Sequence, residues 1–494
     1  MREREFDVLV IGAGPVGENV ADRAVQGGLT VAIVEGELVG GECSYWACMP
    51  TKALLRPGAA LHAARSVPGA REAFGAPLDA QAALSFRDSA TSGWDDSGQA
   101  AWLDDAGITL VRGHGRIAGV RRVEVTAPDG SVQTLVARSA VAVCTGTAAV
   151  IPPIPGLADA SPWTNREAAA AQNVPERLVI IGGGVVAAEF ATAFSSLGSR
   201  VTMLVRGDAL LASNEPVAGE LVLDALRQAG VDVRLGTEAT RVARVADGSL
   251  TVSLGDERGL QADEILVATG RRPATDDIGL DSVGLEAGRS LATDDTLRVL
   301  GADGAPVGAD DEASGWLYAV GDVTGRALLT HQGKYQARAA GDVIAARGLG
   351  QPVDDVPWGR HVATADHAAV PQVVFTDPEV AAVGITAAQA EREGRDVRVA
   401  DYDLHNIAAA SVTAEGYTGH ARLIVDPKSR TVVGATFVGA GVADLLHAAT
   451  VAVVGEVPIE RLWHAVPSYP TLSEVWLRLL EALGRDTATS SPAS

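Results

Sequence analysis

Short apolar runs followed by glycine turns occur at two places along the chain. The first stretch begins at residue 7 and reads DVLVIGAGPVGENVADRAVQGGLTVAIVE, and the second begins at residue 177 and reads RLVIIGGGVVAAEFATAFSSLGSRVTMLVR. Each stretch passes from an apolar run through glycines into a helical pattern and then into a second apolar run. This order predicts strand, turn, helix and strand, which is the βαβ unit of a dinucleotide-binding fold.

Alternating apolar and polar residues predict antiparallel hairpins outside these two units. Pro128-Asp129-Gly130 and Asp247-Gly248 place turn residues inside two such stretches. In the segment 66–104 the pattern is weaker, and amphipathic helix is predicted there. From about Pro371 the pattern changes to a mixture of strands and helices, and the final residues, GRDTATSSPAS, are typical of disorder.

The first glycine turn has the spacing of a nucleotide site. Gly12, Gly14 and Gly17 form G-x-G-x-x-G directly after a predicted strand. The first glycine permits the tight turn, the second lets a pyrophosphate approach the backbone, and the third allows close helix packing. Glu35 follows 23 residues after Gly12, where a carboxylate binds a ribose. The alternative is a glycine turn that only packs a helix on a sheet.

The second glycine turn repeats the pattern, but the acidic residue is missing. Gly182, Gly184 and Ala187 match the fingerprint, but the position that corresponds to the ribose-binding acid is Val205, followed by Arg206. Without the carboxylate a 2′-phosphate is not repelled, and a guanidinium pairs well with it. The sequence therefore predicts NADPH over NADH as the preferred nucleotide. The alternative is that Arg206 is a solvated surface side chain.

Two cysteines lie five positions apart in GGECSYWACMPTK, residues 40–52. On a regular helix Cys43 and Cys48 would point about 140° apart, so a disulfide between them needs a distorted start to the helix. A helix that begins near Cys48 would favour its thiolate. Three interpretations compete: a zinc site, for which the nearest other ligand is His62, a buried structural pair, and a redox-active disulfide beside a nucleotide-bound flavin. Two dinucleotide folds in one chain favour the third.

The composition narrows the class of protein further. A formal net charge of −22 argues against a nucleic-acid-binding surface. The N-terminal apolar run is too short for a signal peptide, and no apolar stretch of about eighteen residues predicts a membrane span. Three cysteines are too few for a disulfide framework, so a cytoplasmic location is predicted. No metal site is predicted.

Several motifs together resemble the flavoprotein pyridine nucleotide-disulfide oxidoreductases, the family of glutathione reductase, lipoamide dehydrogenase and mercuric reductase. The resemblance runs from Asp7 to about Leu483. Besides the cysteine segment, it rests on VCTGTAAVIPPIPG and VATGRRP at two crossover segments, LYAVGDVTG as a flavin-binding glycine-aspartate motif, and VVFTDPEVAAVG at the start of a dimerisation domain. These motifs occur in the family's order.

The resemblance implies an α/β fold with two Rossmann-like dinucleotide-binding domains, for FAD and NAD(P), and a C-terminal α+β dimerisation domain. The expected boundaries are residues 1–156 for the first part of the FAD domain, 157–275 for the NAD(P) domain, 276–350 for the second part of the FAD domain, 351–484 for the dimerisation domain and 485–494 for a disordered tail. A homodimer with a shared active site is expected.

The resemblance also assigns roles to residues. Cys48 is expected to face the flavin, Cys43 to meet the substrate, and Lys52 to pair with Glu189 beside the flavin. The expected FAD-binding residues are Gly12, Gly14, Gly17, Glu35, Gly41, Lys52, Gly115, Thr145, Gly146, Gly321 and Asp322. The expected NADPH-binding residues are Gly182, Gly184, Ala187, Arg206 and Gly270.

One departure from the family bears on the substrate. Thiol-reducing members carry H-P-x-x-x-E near the C-terminus, where the partner subunit's histidine protonates a leaving thiolate. Here the sequence reads PSYPTLSE, so Tyr469 replaces the histidine and Glu474 is retained. A phenol is a poor proton shuttle at neutral pH, which argues against efficient turnover of lipoamide or glutathione.

The function predicted is electron transfer from NADPH through FAD and the cysteine pair to a disulfide, a metal ion or another small acceptor. Two alternatives remain: a quinone reductase in which the cysteines are spectators, and a flavin-binding redox sensor. Tyr45 and Trp46 bear on the first alternative, because they could stack on a quinone. The simpler interpretation is that they pack against the flavin domain.

Overall fold

A computed structural model describes residues 3–255, 259–308 and 315–485 of the chain. The strands are β1 (Glu3–Ile11), β2 (Val31–Glu35), β3 (Ile108–Arg112), β4 (His114–Ile117), β5 (Arg122–Thr126), β6 (Val132–Val143), β7 (Thr147–Ala149), β8 (Arg177–Ile181), β9 (Arg200–Leu204), β10 (Asp232–Arg234), β11 (Ala239–Arg244), β12 (Leu250–Leu254), β13 (Leu260–Ala262), β14 (Glu264–Val267), β15 (Arg271–Pro273), β16 (Leu317–Ala319), β17 (Gln372–Val374), β18 (Glu379–Gly384), β19 (Arg398–Asp403), β20 (Gly419–Asp426) and β21 (Thr431–Gly439).

The α-helices are α1 (Pro15–Gln26), α2 (Gly41–Tyr45), α3 (Cys48–Arg65), α4 (Ala80–Ala90), α5 (Ser97–Asp105), α6 (Asn165–Ala169), α7 (Val185–Ser196), α8 (Pro216–Gln228), α9 (Thr330–Gly348), α10 (Ala387–Arg392), α11 (Ala408–Thr413), α12 (Leu446–Val454), α13 (Ile459–Leu462) and α14 (Val475–Leu483). Short 3-10 helices lie at Arg71–Ala73, Ser92–Trp94, Leu280–Val283, Asp322–Thr324, Thr364–His367, Leu404–Asn406, Ala443–Leu445 and Leu472–Glu474.

The first sheet has seven strands and combines a parallel part with an antiparallel part. Strands β3, β2, β1 and β6 lie side by side and run parallel, and β16 returns late in the chain to pair in parallel with the end of β6. The beginning of β6 pairs antiparallel with β5, which pairs with β4. The parallel order is that of a dinucleotide-binding fold, in which the ligand lies at the carboxyl ends of the strands.

The second dinucleotide unit repeats the parallel arrangement on a smaller scale. Strands β10, β9, β8 and β14 form a parallel sheet. Between β10 and β14 in the sequence, β11, β12 and β13 form a separate antiparallel sheet. The short strands β7 and β15 pair antiparallel, and they join the segments that enter and leave this unit. The second unit is therefore inserted between two parts of the first.

The C-terminal part is built on an antiparallel sheet with the strand order β17, β18, β21, β20, β19. The helices α12 and α14 pack on it through a continuous apolar core that includes Phe437 and Leu479. The ring of Trp476 lies 6.1 Å from that of Phe437, measured between centroids. Burying these large side chains is the main favourable term for such a layer.

Two glycines let the helix α9 lie close against α1. A Cβ at Gly333 would lie 2.6 Å from Cγ2 of Val16, and a Cβ at Gly341 would lie 2.5 Å from Cβ of Arg23. Larger residues at either position would push the helices apart, because close-packed interiors leave no room for an added methyl group. These two contacts fix the position of α9 relative to α1.

The predicted fold class is confirmed: the chain has two Rossmann-like units and an α+β C-terminal domain. Both hairpin turns lie where they were predicted, between β5 and β6 and between β11 and β12. The weakly patterned segment 66–104 contains α4 and most of α5. The domain boundaries stay a prediction. Of the predicted tail only Arg485 belongs to the described residues, and its guanidinium lies over the Trp463 ring.

No helix in the described ranges has the length and apolarity needed to cross a membrane.

Candidate active site

The two cysteines of the segment 40–52 lie on different helices. Cys43 is in α2, which ends at Tyr45, and Cys48 is the first residue of α3. Ala47 between them has non-helical backbone angles, so the regular helical separation of about 140° does not apply. The predicted distortion is therefore present, and the break lies between the cysteines as well as at the left-handed Gly40 before them.

The cysteine segment rests directly on the first glycine turn. Gly41 has a φ of 56°, and a Cβ there would lie 2.9 Å from Cα of Gly14. A side chain at Gly41 would thus move the cysteines away from the turn, which explains the glycine pair. The contact brings Cys43 and Cys48 to the carboxyl end of the first parallel sheet, where this fold binds its ligand.

The two free thiols differ in acidity. A hydrogen bond from the Cys43 thiol lowers the pKa of Cys48 to about 6, and Thr330 and the charge of Lys52 lower it further against the effect of burial. The same hydrogen bond, together with burial, raises the pKa of Cys43. The Cys48 Sγ also lies 3.4 Å from Oγ1 of Thr330. At neutral pH one proton therefore stays on Cys43 while Cys48 carries the negative charge.

Lys52 and Glu189 form the expected ion pair. The Lys52 Nζ donates to Glu189 Oε2 at 2.7 Å, and the Glu189 side chain is 4% exposed. The other carboxylate oxygen accepts a hydrogen bond from the backbone N–H of Phe375 at 2.9 Å. This carboxylate therefore connects α3, α7 and the start of the C-terminal sheet behind the cysteines.

The residues of the first nucleotide site meet at the carboxyl edge of the first sheet. Glu35 Oε2 accepts a hydrogen bond from Ala13 N at 2.7 Å, and Oε1 accepts one from Glu37 N at 2.8 Å. Burial raises the pKa of Glu35. A Cβ at Gly12 would lie 2.6 Å from the Cys144 carbonyl oxygen, and one at Gly17 would collide with the carbonyl oxygen of Gly12. The turn keeps its shape because both positions are glycine.

Polar groups on the far side of this edge fit an FAD molecule. Thr145 Oγ1 is buried and has no hydrogen-bond partner within the part of the chain that the structure describes. Asp322 Oδ2 accepts from Thr147 Oγ1 at 3.1 Å, and burial raises the pKa of Asp322. The Thr145 hydroxyl suits a polar ligand, because an unpaired buried hydroxyl is costly.

Glycines occupy three further positions at this edge. Gly146 and Gly321 have φ values of 70° and 82°, and a Cβ at Gly115 would lie 3.1 Å from Cγ1 of Val34. With the orphaned Thr145 hydroxyl and the half-buried carboxylates of Glu35 and Asp322, this edge can hold FAD, and the part of FAD that each residue binds stays a prediction.

The second nucleotide site has the same turn geometry. Gly182 has a φ of 137°, and a Cβ there would collide with the Ala268 carbonyl oxygen. Gly184 caps α7, and Ala187 is fully buried against the sheet. Gly270, at the end of VATG, also has a φ of 137°. These positions line the carboxyl edge of the second parallel sheet.

Arg206 lies just beyond the end of β9 and extends into solvent. Its side chain is 87% exposed, and its Nε lies 3.7 Å from Glu238 Oε1. The corresponding place in the first unit is that of Glu35, and a contact between Arg206 and a bound nucleotide stays a prediction.

A polar network that the sequence did not reveal holds the cysteine segment to the second unit. Arg271 donates to Glu42 and, through a second nitrogen, to Asn165 Oδ1 at 3.1 Å. Arg166 donates to Glu42 at 2.9 Å and stacks 4.2 Å from the Trp46 ring centroid. Arg271 lies within VATGRRP, but its partners are more than a hundred residues away, so no local pattern identifies them.

Tyr45 and Trp46 pack into the protein. Tyr45 is buried, and its carbonyl oxygen accepts a hydrogen bond from Trp94 Nε1 at 3.1 Å. Arg166 covers a face of Trp46. The packing interpretation of these two aromatic residues is therefore favoured over a stacking surface. His62, the other candidate zinc ligand, pairs instead with Asp377.

Tyr469 and Glu474 belong to the C-terminal domain, and the two side chains differ greatly in exposure. Tyr469 is 76% exposed, whereas Glu474 is buried and pairs with Arg478 at 2.7 Å. Glu474 Oε2 is buried without a hydrogen-bond partner among residues 3–255, 259–308 and 315–485. The roles expected for these two residues stay predictions.

A family model described as pyridine nucleotide-disulphide oxidoreductase matches residues 6–341, and the model of the family's dimerisation domain matches residues 370–479. The chain belongs to the pyridine nucleotide-disulphide oxidoreductases. The members of this family are FAD-dependent oxidoreductases that use a pyridine nucleotide, so the chain is an oxidoreductase and a flavoprotein.

Curated members of this family align along almost the whole chain. A mercuric reductase from Acidithiobacillus ferrooxidans is 32% identical over 478 residues, which are 95% of this chain and 81% of the relative. A dihydrolipoyl dehydrogenase from Haloferax volcanii is 31% identical over 490 residues, which are 97% of this chain and 96% of the relative.

Solved structures of the family share the fold. The Cu(II) complex of the HOCl-induced flavoprotein disulfide reductase RclA from Escherichia coli superposes with a TM-score of 0.80 at 22% identity, covering 97% of this chain and 99% of that chain. LpdA from Mycobacterium tuberculosis gives a TM-score of 0.79 at 23% identity, covering 96% and 99% of the two chains.

Proposed function

We propose that this protein takes electrons from NADPH and passes them through FAD and the Cys43–Cys48 pair to a disulfide or a metal ion. The observation that supports this best is the difference in acidity between the two thiols. Cys48 holds a negative charge beside Lys52, while Cys43 keeps its proton. A structural pair does not need this difference, whereas a dithiol that exchanges electrons does.

Each residue of the site has a defined task in this proposal. When bound, FAD accepts hydride from the nucleotide and makes two electrons available to the protein. The hydrogen bond from Cys43 favours the ionised form of Cys48, the charge of Lys52 adds to this effect, and Glu189 keeps Lys52 in place. Cys43, in the middle of α2, carries the sulfur that meets the acceptor, so the pair consists of a charged thiolate on Cys48 and a protonated thiol on Cys43.

The assembly proposed is a homodimer in the cytoplasm with a shared active site. The match of residues 370–479 to the family's dimerisation domain supports the dimer. The exposed Tyr469 is available for contacts with a second copy. A reducing compartment suits a pair of cysteines that cycles between thiol and disulfide.

Removing the guanidinium of Arg206 tests the nucleotide preference. In Arg206→Ala we expect kcat/KM for NADPH to fall by roughly tenfold to a hundredfold, since a charge-assisted contact to the 2′-phosphate is lost, with little change for NADH. Arg289→Ala is a matched control, because Arg289 is also exposed and has one ion pair, with Glu286. Equal efficiency of the unmodified enzyme with NADH and NADPH would contradict the preference.

An anaerobic titration with NADPH tests the route through the cysteines. We expect the first equivalent to leave the flavin band largely intact and to add a long-wavelength shoulder, because in this proposal the electrons would pass to the sulfur pair and the Cys48 thiolate would lie beside a flavin that is still oxidised. Immediate bleaching without the shoulder would show that the pair is bypassed. Quinones would then become the first acceptors to test.

A metal ion is a second candidate acceptor, favoured by the relatives named mercuric reductase. A thiophilic ion needs no proton from the enzyme. The tyrosine at position 469, where thiol-reducing members have a histidine, would therefore not hinder its reduction. NADPH consumption with mercuric ion and with small disulfides, measured side by side, distinguishes the two acceptors. Negligible turnover with every acceptor would favour the redox-sensor alternative.

A further inference from the structure

A buried carboxylate outside both nucleotide-binding sheets packs against the helix α9. Asp366 is in the 3-10 helix Thr364–His367, in the segment that leads from α9 to the C-terminal sheet, and its side chain is 1% exposed. A carboxylate removed from water needs partners, because an unpaired buried charge is very costly. The partners of Asp366 therefore indicate what this group does.

Asp366 accepts hydrogen bonds from two glutamine side chains of α9. Its Oδ1 accepts from Gln332 Nε2 at 2.6 Å, and its Oδ2 accepts from Gln336 Nε2 at 2.9 Å. A guanidinium nitrogen of Arg326 lies 3.4 Å from Oδ2 and compensates the charge. Both glutamines are buried, so these side chains form a polar network that water does not replace.

Gln336 carries this network to the expected flavin-binding motif. Its side chain is fully buried, and its Oε1 accepts a hydrogen bond from the backbone N–H of Gly321 at 2.8 Å. An ionised carboxylate only accepts hydrogen bonds, so Asp366 holds the Gln336 amide with its nitrogen toward the carboxylate and its oxygen toward Gly321. In the reversed orientation, two donors would face each other at Gly321.

Gly321 forms the turn that precedes Asp322. Its backbone angles are φ 82° and ψ −151°, a combination that only glycine adopts readily. The Gly321 carbonyl oxygen accepts a hydrogen bond from Thr324 Oγ1 at 2.8 Å, and its N–H is held by Gln336. The direction in which the Asp322 carboxylate leaves the turn therefore depends on these two contacts.

We propose that Asp366 is a positioning residue of the FAD site, which acts through Gln336 on the Gly321–Asp322 turn. The inference rests on the role expected for Asp322 in binding FAD. FAD is then held firmly only when the segment 361–369 is packed against α9. Bound FAD stabilises that segment in return, because such coupling is reciprocal.

Asp366→Ala in the FAD-loaded enzyme tests this role. Alanine offers no acceptor, so the Gln336 amide is free to turn its nitrogen toward Gly321, and the Gly321 N–H loses its partner. We expect FAD to dissociate roughly tenfold to a hundredfold faster than from the unmodified enzyme, because a buried donor is left unpaired. The rise of flavin fluorescence after dilution measures the release without any turnover.

Asp295→Ala is the matched control for this variant. Asp295 forms its ion pairs with Arg326 and with His367, the residue after Asp366, rather than with the glutamines of α9. The control thus removes a neighbouring carboxylate while Gln336 keeps its orientation. We expect FAD to leave it at the rate of the unmodified enzyme.

Exchanging the two polar groups should restore FAD binding. In the double variant Asp366→Asn, Gln336→Glu, one oxygen of the new carboxylate accepts from Gly321 N–H and the other accepts from the new amide at position 366. The net charge is unchanged. We expect the rate of FAD release to return to within about threefold of the unmodified enzyme, since no buried donor is left unpaired. This variant also serves if Asp366→Ala does not fold.

A double-mutant cycle with Asp322 shows whether Asp366 acts through the turn. Asp322→Ala alone should speed FAD release, and adding Asp366→Ala to it should have little further effect, because the second change then has no carboxylate to position. Losses that multiply in full would mean that Asp366 affects FAD by another route, and would overturn the proposal.

Hydrogen exchange gives a readout that a purely structural role would not change. In the unmodified enzyme, bound FAD should slow the exchange of backbone amides in 361–369, because the cofactor stabilises their packing. In Asp366→Ala this FAD-dependent difference should disappear. A structural role would instead speed exchange equally with and without FAD, which would contradict the proposal.

The outcomes separate the inference from the role of Asp322 on which it rests. Unchanged FAD release in Asp366→Ala, or a loss that the exchange variant does not restore, would overturn the inference and leave Asp322 as an FAD ligand. Unchanged release in Asp322→Ala would remove the expected role of Asp322, and the inference with it.

Discussion

We expect the replacement of Cys43 with serine to lower kcat for disulfide reduction by roughly a thousandfold or more, while NADPH should still reduce the bound flavin. The reason is chemical: a hydroxyl does not attack a disulfide at neutral pH, and Cys48 alone cannot release the product by forming an intramolecular disulfide. Steady-state turnover with dipyridyl disulfide measures the loss. Rapid mixing with NADPH under anaerobic conditions shows that the first half of the reaction survives.

Cys144→Ser is the matched control for this variant. Cys144 is buried beside the first glycine turn, lies outside the segment 40–52 in the sequence, and has a pKa that burial raises. We expect disulfide turnover to persist in this control. Undiminished turnover in Cys43→Ser, with disulfides or with quinones, would make the cysteines spectators and would support the quinone-reductase alternative.

We expect Lys52→Met to lower the free energy of unfolding and to raise the pKa of Cys48. Removing the ammonium leaves the buried carboxylate of Glu189 with only the backbone N–H of Phe375 as a partner. Breaking such a pair costs about 3–5 kcal/mol, and the solvent-accessible side of Lys52 places the loss near 3 kcal/mol. The pKa of Cys48 should also rise, because the Lys52 charge lowers it.

Denaturant unfolding and a pH titration of the thiolate absorbance measure these two effects. The control is Lys428→Met, since Lys428 is exposed in the turn after β20. Adding Glu189→Leu to Lys52→Met should restore part of the stability without restoring the acidity of Cys48, because the unpaired buried charge is then gone. Unchanged stability and unchanged Cys48 acidity in Lys52→Met would contradict the description of this ion pair.

The sequence predicts the parts of this fold that depend on local patterns. The βαβ units follow from apolar runs and glycines at fixed spacing, because Gly12 and Gly182 need backbone angles and close contacts that few residues tolerate. The hairpins follow from their turn residues. The pairing of Lys52 with Glu189 was predictable only through the family resemblance, since 137 residues separate them.

The parts that could not be predicted depend on contacts between distant segments. Asp366 reads in the sequence as one acidic residue among many in the segment before β17. It contacts Gln332 and Gln336 only because this segment packs against α9, and no local pattern predicts that packing. The same holds for Arg271, whose partner Glu42 is 229 residues away.

The late return of β16 to the first sheet sets an order of events during synthesis on the ribosome. Strands β8 to β14 of the inserted unit lie between residues 177 and 267, so this unit can close soon after it emerges. The first sheet is incomplete until residues 317–319 have been made, and α1 lacks its packing partner until α9, which ends at Gly348, has been made. Roughly the first 340 residues must be made before the flavin edge is complete, so the nascent chain spends most of its translation with that edge open and with the inserted unit as its folded part.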